Sequence, residues 1–339
     1  EIGINHNGNF DLAKKMIERS KDSGANAVKF QKRDADSLLL DGIKVETPTG
    51  YLSQNELDIP SEEKAFGTWD YPDKRLEFSD KQHDELWNFA SKLGVDYIVS
   101  PWDEVSLDYL ASRDAKVIKI ASIDTNNFLF MKNVASKKIP VIASIGMCNW
   151  DEVAVTRQIF KDADCPLMFL HCTSAYPCPI EDKNLSCIPI IQKMFGEDVG
   201  FSGHGVGEIG TLGAISLGAK LVEKHVTLSR KMSGPDQAAS LEFDEFKKLI
   251  YKSEQMRLAL GSPVKKFEQS EQTLHSVLAK RIVCSKKLFK GQSIKEEYLR
   301  TVVTKKDGGI LPNRLFNVVN RHAARDLEEN TVLEEIDLL

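Results

Sequence analysis

Eight short β-forming runs recur along the first 227 residues, with helix-like stretches between most of them. They are "EIGIN" (1–5), "AVKFQ" (27–31), "YIVSP" (97–101), "VIKIAS" (117–122), "PVIASIG" (140–146), "LMFLHCT" (167–173), "VGFSGH" (199–204) and "LVEKHVT" (221–227). Such aliphatic, β-branched runs bounded by turn formers read as core strands. The stretch 11–24 spaces Leu12, Met16 and Ile17 near one helical turn and closes on Gly24, a C-cap signal. Residues 79–94 open on Ser79 and close on Gly94, and 244–261 place Phe246, Leu249, Ile250 and Met256 on one side. Eight strand-then-helix units within about 260 residues match the size of an α/β (β/α)8 TIM barrel. A doubly wound open sheet is the alternative. It needs fewer strands and usually a G-x-G-x-x-G turn after the first, and "GINHNGN" is not that turn.

The texture changes at Gly261-Ser262-Pro263. A catalytic barrel is therefore expected over 1–262, and a polar stretch without clear period, 263–280, reads as a linker. Short β patterns return over 281–339, in "RIVCS" (281–285), "RTVVT" (300–304), "HAARDL" (322–327) and "TVLEEIDLL" (331–339). A mostly-β module of about 60 residues is marginal alone, so it is expected to dock on something. The long segment 32–78, with Pro48, Pro60 and Pro72, follows the second strand. In a barrel it would lie on the catalytic face as a lid or a partner-contacting insertion.

Net charge is −5, which gives no basic surplus for nucleic acid or an acidic membrane surface. No apolar run approaches the ~20 residues a membrane helix needs. Six cysteines at 148, 165, 172, 178, 187 and 284 form no C-x-x-C pair, and fit reduced thiols in a cytoplasmic protein. The chain opens on Glu1 inside a strand-like run, which implies that a few residues precede it.

Active sites of (β/α)8 barrels lie at the C-terminal ends of the strands. Here those ends carry Lys29 and Gln31, Lys119 and Ser122 with Asp124 beyond, Ser144, Thr173 with Ser174 and Tyr176, Ser202 and His204, then Glu223 and His225. A loop with Asp236 follows. One such placement means little, but their recurrence argues for an active centre. His204 and His225, on consecutive strands, are either a pair sharing one divalent metal or two unrelated histidines, and spacing leaves both open. Lys29 and Lys119 either hold an anion or reach to solvent, and any one of the serines is as well explained by barrel packing. Within "LVEKHVT", alternation puts Glu223 and His225 on one side and Lys224 on the other.

The ordered motifs "EIGINHNG", "VKFQ", "IKIAS" with "DTNN", "SIGM", "HCTSAYP", "GFSGH", "LGAKLVEKHVTL" and "SGPDQAASLE" resemble the sialic acid synthase family. The segment from "AKRIVCSKKLFKGQSIKEEYL" onward resembles that family's antifreeze-like (SAF) domain. The resemblance implies condensation of phosphoenolpyruvate with an amino-sugar aldehyde, N-acetylmannosamine first, giving N-acetylneuraminate. A 6-phosphorylated sugar with a 9-phosphate product, or a legionaminate-, pseudaminate- or Kdn-type acid, is the alternative. A non-catalytic carbohydrate-binding barrel is the alternative from another class.

By the same resemblance His204 and His225 match metal ligands, with Mn2+ expected and Mg2+ or Co2+ as substitutes. Lys29, Ser122, Ser144 and Ser202 match phosphate-side positions, and Lys119 and Ser174 match carboxylate contacts. Glu1, Asp124, Tyr176 and Asp236 match positions near the sugar or the reacting centre, and His225 also counts among the catalytic set. The family also implies a domain-swapped homodimer in which the SAF domain caps the partner's barrel and contributes an arginine. That arginine should fall near Thr304–Lys306, where this chain has none, and Arg314 is out of register.

Overall fold

The computed structural model describes residues 1–40, 45–48, 68–71, 73–304 and 308–339. Most of the 32–78 insertion, and Lys305 and Lys306 of the expected arginine position, lie outside the described residues. Val45–Pro48 and Thr68–Tyr71 form an antiparallel pair within that insertion. The chain divides into two compact units, Glu1–Gly261 and Ser262–Leu339.

The first unit is a mixed α/β fold around a curled parallel sheet. Five parallel strands lie side by side in chain order: Ile118–Ile120, Val141–Ser144, Leu167–Cys172, Val199–Gly203 and Val222–Lys224. Ala27–Lys32 and Asp96–Pro101 form a second parallel pair. Parallel strands need crossovers, and the helices supply them. Phe10–Ser23 is capped by the Asn9 side chain and ends on Gly24 at φ 99°, the left-handed position glycine adopts at little cost. Asp80–Lys92 starts with a capping box between Ser79 and Gln82. Alternation then sorts the strand side chains. Val28, Phe30, Tyr97 and Val99 pack in the hydrophobic core with helix residues such as Met16, Ile17, Leu86 and Leu107. Lys29 and Gln31 take the other side of their strand.

The first and last strands are realised differently from the expectation. "EIGIN" is extended only at its start. The Glu1 nitrogen donates to the Lys224 carbonyl at 2.8 Å, Val226 N donates to the Glu1 carbonyl at 2.9 Å, and Ile2 N donates to the Lys29 carbonyl at 2.9 Å. The backbone then leaves at Gly3, whose φ is +54°. Residues 1–3 thus lie between the Val222–Thr227 run and Ala27–Lys32, bonded to both. "LVEKHVT" is split at His225. Val222–Lys224 pairs with Phe201–Gly203, whereas Val226–Thr227 pairs with Leu241–Glu242. The change of partner leaves His225 at the break, with its carbonyl accepting from Leu241 N at 2.9 Å.

The second unit has its own core of Ile282, Cys284, Leu288, Ile294, Ile310, Val318, Ala323, Leu327, Leu333 and Leu338. Arg281–Cys284 pairs antiparallel with Leu299–Val302. The expected strands at 322–327 and 331–339 appear as single bridges, such as Val283 with Val332 and Ala323 with Leu338. The aperiodic 263–280 stretch contains a short helix, Gln272–Leu278, whose Leu274, Val277 and Leu278 are exposed. Among the described residues, no helix is long and apolar enough to cross a membrane.

Candidate functional site

The C-terminal ends of the parallel strands bring most of the candidate residues together. Lys29 Nζ pairs with the Glu1 carboxylate, donates to Ser100 Oγ at 3.1 Å and lies 3.9 Å from Glu223 Oε1. Lys119 Nζ donates to Ser144 Oγ at 2.7 Å and to its neighbour's carbonyl, Ile120 O, at 2.8 Å, and lies 3.8 Å from Glu223 Oε2. Glu223 therefore sits between the two lysines and also accepts from Ser202 Oγ at 3.1 Å. Strand register explains the meeting: Cys172, Ser202 and Glu223 are successive Cα partners on three adjacent strands.

Burial of charge is costly unless it is paired, and the pairing sets each group's state. Burial pushes the Glu223 carboxyl up, but Lys119 and then Lys29 outweigh it and hold it at about 2. Burial pushes Lys29 down, but Glu1 and Glu223 outweigh it, so its pKa is raised. For Lys119 burial comes first, and with the nearby Lys29 it outweighs Glu223, so its pKa is lowered.

Ser122 and Ser174 form a second group beside Gly146 and Cys172. Gly146 N donates to Ser122 Oγ at 3.1 Å, and Cys172 Sγ lies 3.5 Å from Ser122 Oγ and 3.8 Å from Ser174 Oγ. A Cβ on Gly146 would come within 2.3 Å of Ser174 Oγ and 2.8 Å of Ser122 Oγ. The glycine is thus what leaves room for both hydroxyls.

The two histidines meet with ring centroids 5.4 Å apart. His204 Nδ1 donates to the Thr173 carbonyl at 3.1 Å, and its Nε2 faces the Tyr176 hydroxyl at 3.0 Å. His225 Nδ1 is buried, has no hydrogen-bond partner among the described residues and lies 3.9 Å from Asp236 Oδ2. Burial, then the charges of His204 and Lys29 among others, hold the His225 imidazole well below its ordinary pKa and so neutral. A neutral imidazole with an unpaired buried nitrogen, beside a second ring oriented by a backbone carbonyl, has the chemistry of a metal-ligand pair. Among the described residues, no group of three or more His, Cys, Asp and Glu side chains is arranged as a metal cage. Asp236 faces the same space, and burial, with Glu1 adding, pushes its carboxyl up to about 6.

Asp124 stands apart. It ends the 3-10 turn Ser122–Asp124, accepts from Asn127 Nδ2 at 3.2 Å, and has its pKa raised by burial. Several groups in the site were not candidates. Glu223, named from sequence only as one of the polar strand ends, is the charge both lysines share. Cys172, adjacent to His171 in sequence, turns the other way and reaches His204 Nδ1 at 3.7 Å. Burial raises the Cys172 thiol, but His204 and Ser122 outweigh it and bring it to about 7. Ser100 sits at the end of "YIVSP" in the same relation to its strand as the other polar ends, which was the available signal.

Comparison with known proteins bears on the whole chain. The model of the NeuB family matches residues 16–265. The N-acetylneuraminate-9-phosphate synthase of Mus musculus is 35% identical over 339 residues, covering 99% of this chain and 90% of that protein. The N,N'-diacetyllegionaminic acid synthase of Legionella pneumophila is 33% identical, covering 98% of this chain and 92% of that protein. The crystal structure of an N-acetylneuraminic acid synthetase from Leptospira borgpetersenii superposes with a TM-score of 0.68 at 29% identity, over 81% of this chain and 88% of that one. With the curled parallel sheet and the strand-end cluster it carries, the chain belongs to the NeuB family of sialic acid synthases.

Proposed function

We propose that this protein is a nonulosonic acid synthase that condenses phosphoenolpyruvate with N-acetylmannosamine to form N-acetylneuraminate. The observation that carries the reading is the buried Lys29–Glu223–Lys119 array set beside the His204–His225 pair. A trianionic substrate needs two fixed cations, and an aldehyde electrophile needs a polarising group close to them. In this reading the first unit is a closed (β/α)8 barrel, with residues 1–3 closing it.

Lys29, with Ser122, Ser144 and Ser202, holds the phosphate, while Lys119 and Ser174 hold the carboxylate. His204 and His225 hold a divalent ion, Mn2+ first and Mg2+ or Co2+ as substitutes. When bound, that ion supplies Lewis acidity at the sugar's aldehyde oxygen. Tyr176, Asp236 and Asp124 line the sugar side. Carbon 3 of phosphoenolpyruvate attacks the aldehyde carbon, and positive charge develops at carbon 2, where the Glu1 carboxylate stabilises it. Water adds at carbon 2, and the tetrahedral intermediate expels phosphate by breaking the carbon–oxygen bond. Much of the rate then comes from holding the reactants in place.

The second unit we read as an SAF domain that caps the barrel of a second copy in a domain-swapped dimer. A cytoplasmic location is part of this reading, supported by the six free thiols. A second reading, the 9-phosphate made from a 6-phosphorylated sugar, is favoured by the 35% identity to the mouse 9-phosphate synthase. The test is phosphate release from phosphoenolpyruvate with N-acetylmannosamine, its 6-phosphate, mannose and a diacetylated bacterial sugar in turn. Release with the first alone supports the proposal, release with the second alone supports the second reading, and release with none refutes both. His225→Ala is expected to lose metal-dependent turnover with its circular dichroism and melting profile retained. Full activity of that variant after chelation and Mn2+ readdition would remove the metal role.

A further inference from the structure

A chain of side chains runs from the Glu1 carboxylate through Gln31 to Arg33 and Glu77, and the chemistry above does not use its last three members. The Glu1 carboxylate carries Lys29 on one oxygen and accepts from Gln31 Nε2 at 3.3 Å on the other. Gln31 Oε1 in turn accepts from Arg33 Nη2. Arg33 is held from two sides. Glu77 Oε1 accepts from Arg33 Nη1 at 3.0 Å, and Glu77 Oε2 accepts from the Arg33 backbone nitrogen at 3.1 Å. The guanidinium lies over the Trp102 ring, 4.2 Å from its centroid. Arg33 is itself only 8% exposed.

This arrangement decides which end of the Gln31 amide faces Glu1. A guanidinium only donates, so it must meet the amide oxygen. The amide NH2 is then left to point at the carboxylate, which only accepts when ionised. Without Arg33 the amide is free to turn by half a rotation and present its oxygen to Glu1, an acceptor against an acceptor. Space around the carboxylate is limited. A Cβ on Gly3 would lie 3.0 Å from Glu1 Oε1 and 3.4 Å from both Asp236 Oδ2 and Gln31 Nε2.

We infer that Arg33 is a positioning residue for the Glu1 carboxylate, acting through the Gln31 amide, with Glu77 and Trp102 holding its guanidinium in place. The inference rests on the reading that Glu1 faces the reacting carbon. Arg33 reaches the site through Gln31, so its loss acts on turnover more than on substrate binding.

The experiment is a double-mutant cycle on kcat for phosphate release, with KM for phosphoenolpyruvate and the melting temperature measured for each variant. Arg33→Met is expected to lower kcat about 10- to 100-fold, the scale of a misplaced catalytic group, with KM for phosphoenolpyruvate nearly unchanged. Gln31→Leu should lower kcat similarly. The double variant should be no slower than Gln31→Leu alone, and Arg33→Lys, which keeps a donor, should retain more kcat than Arg33→Met. Multiplying losses in the double variant would overturn the inference, as would an Arg33→Met loss confined to KM or to the melting temperature. Should Arg33→Met not fold, Arg33→Lys and Glu77→Gln carry the same cycle with Gln31→Leu. An unsubstituted protein without turnover would refute the proposed function and this inference with it, whereas active wild type with multiplying losses refutes the inference alone.

Discussion

At the scale of single residues the site is a balance of buried charge. Lys29 faces two carboxylates and Lys119 one, and Glu223 is shared between them. At Asp236 the nearby cations do not outweigh burial. Its carboxyl stands at about 6, first because of burial and then because of Glu1. A raised carboxyl pKa means that the folded state binds the proton more tightly than the unfolded chain. The stability this confers is present below about pH 4 and is lost as pH rises through about pH 6. Asp236→Asn cannot ionise, so it should stabilise chelator-treated protein at pH 7 by roughly 1–3 kcal/mol while lowering phosphate release. Denaturant unfolding at pH 5 and pH 7 checks this, and a less stable variant at pH 7 would contradict it. Histidines 204 and 225 could be placed from sequence because each ends a strand and the two strands are consecutive. The Arg33–Glu77 pairing could not, because the two lie at opposite ends of the long 32–78 segment, whose path no local pattern predicts.

At the scale of elements, the turn after Val141–Ser144 shows how a backbone shapes a pocket. Gly146 does not have a positive φ, so alanine is allowed there on backbone grounds. Its methyl group would nonetheless arrive 2.3 Å from Ser174 Oγ and 3.2 Å from Cys172 Sγ. Gly146→Ala is therefore expected to displace Ser174 and cut kcat/KM for phosphoenolpyruvate roughly 10- to 100-fold with little change in melting temperature. Steady-state kinetics alongside a melting curve tests it, and unchanged kcat/KM would show that these hydroxyls do not meet the substrate. Strand alternation made the polar ends legible, since period-2 patterning survives whatever the tertiary packing. It misjudged the two outer runs. "EIGIN" is cut short by the positive φ at Gly3, and "LVEKHVT" changes partner at His225. Both events depend on what lies alongside, which a local pattern does not contain.

At the scale of the molecule, two separate hydrophobic cores imply two separable stabilities. Leu333 is fully buried in the second core. Leu333→Ala should destabilise Ser262–Leu339 by about 2–5 kcal/mol through lost burial and the cavity left behind. Hydrogen exchange should then speed up in that unit with protection of Val141–Ser144 and Leu167–Cys172 retained, and equal acceleration in both would show one cooperative core. In the second unit the runs at 281–285 and 300–304 were legible as strands, whereas those at 322–327 and 331–339 form only single bridges. The central claim concerns the first unit, and isotope labelling tests it most directly. Phosphoenolpyruvate carrying 18O in its bridging carbon–oxygen–phosphorus position is incubated with the protein, Mn2+ and N-acetylmannosamine, and both products are weighed by mass spectrometry. The account predicts a nine-carbon keto acid and released phosphate that carries the label, because the carbon–oxygen bond breaks. No nine-carbon acid, or unlabelled phosphate with the label left in the sugar acid, would contradict it.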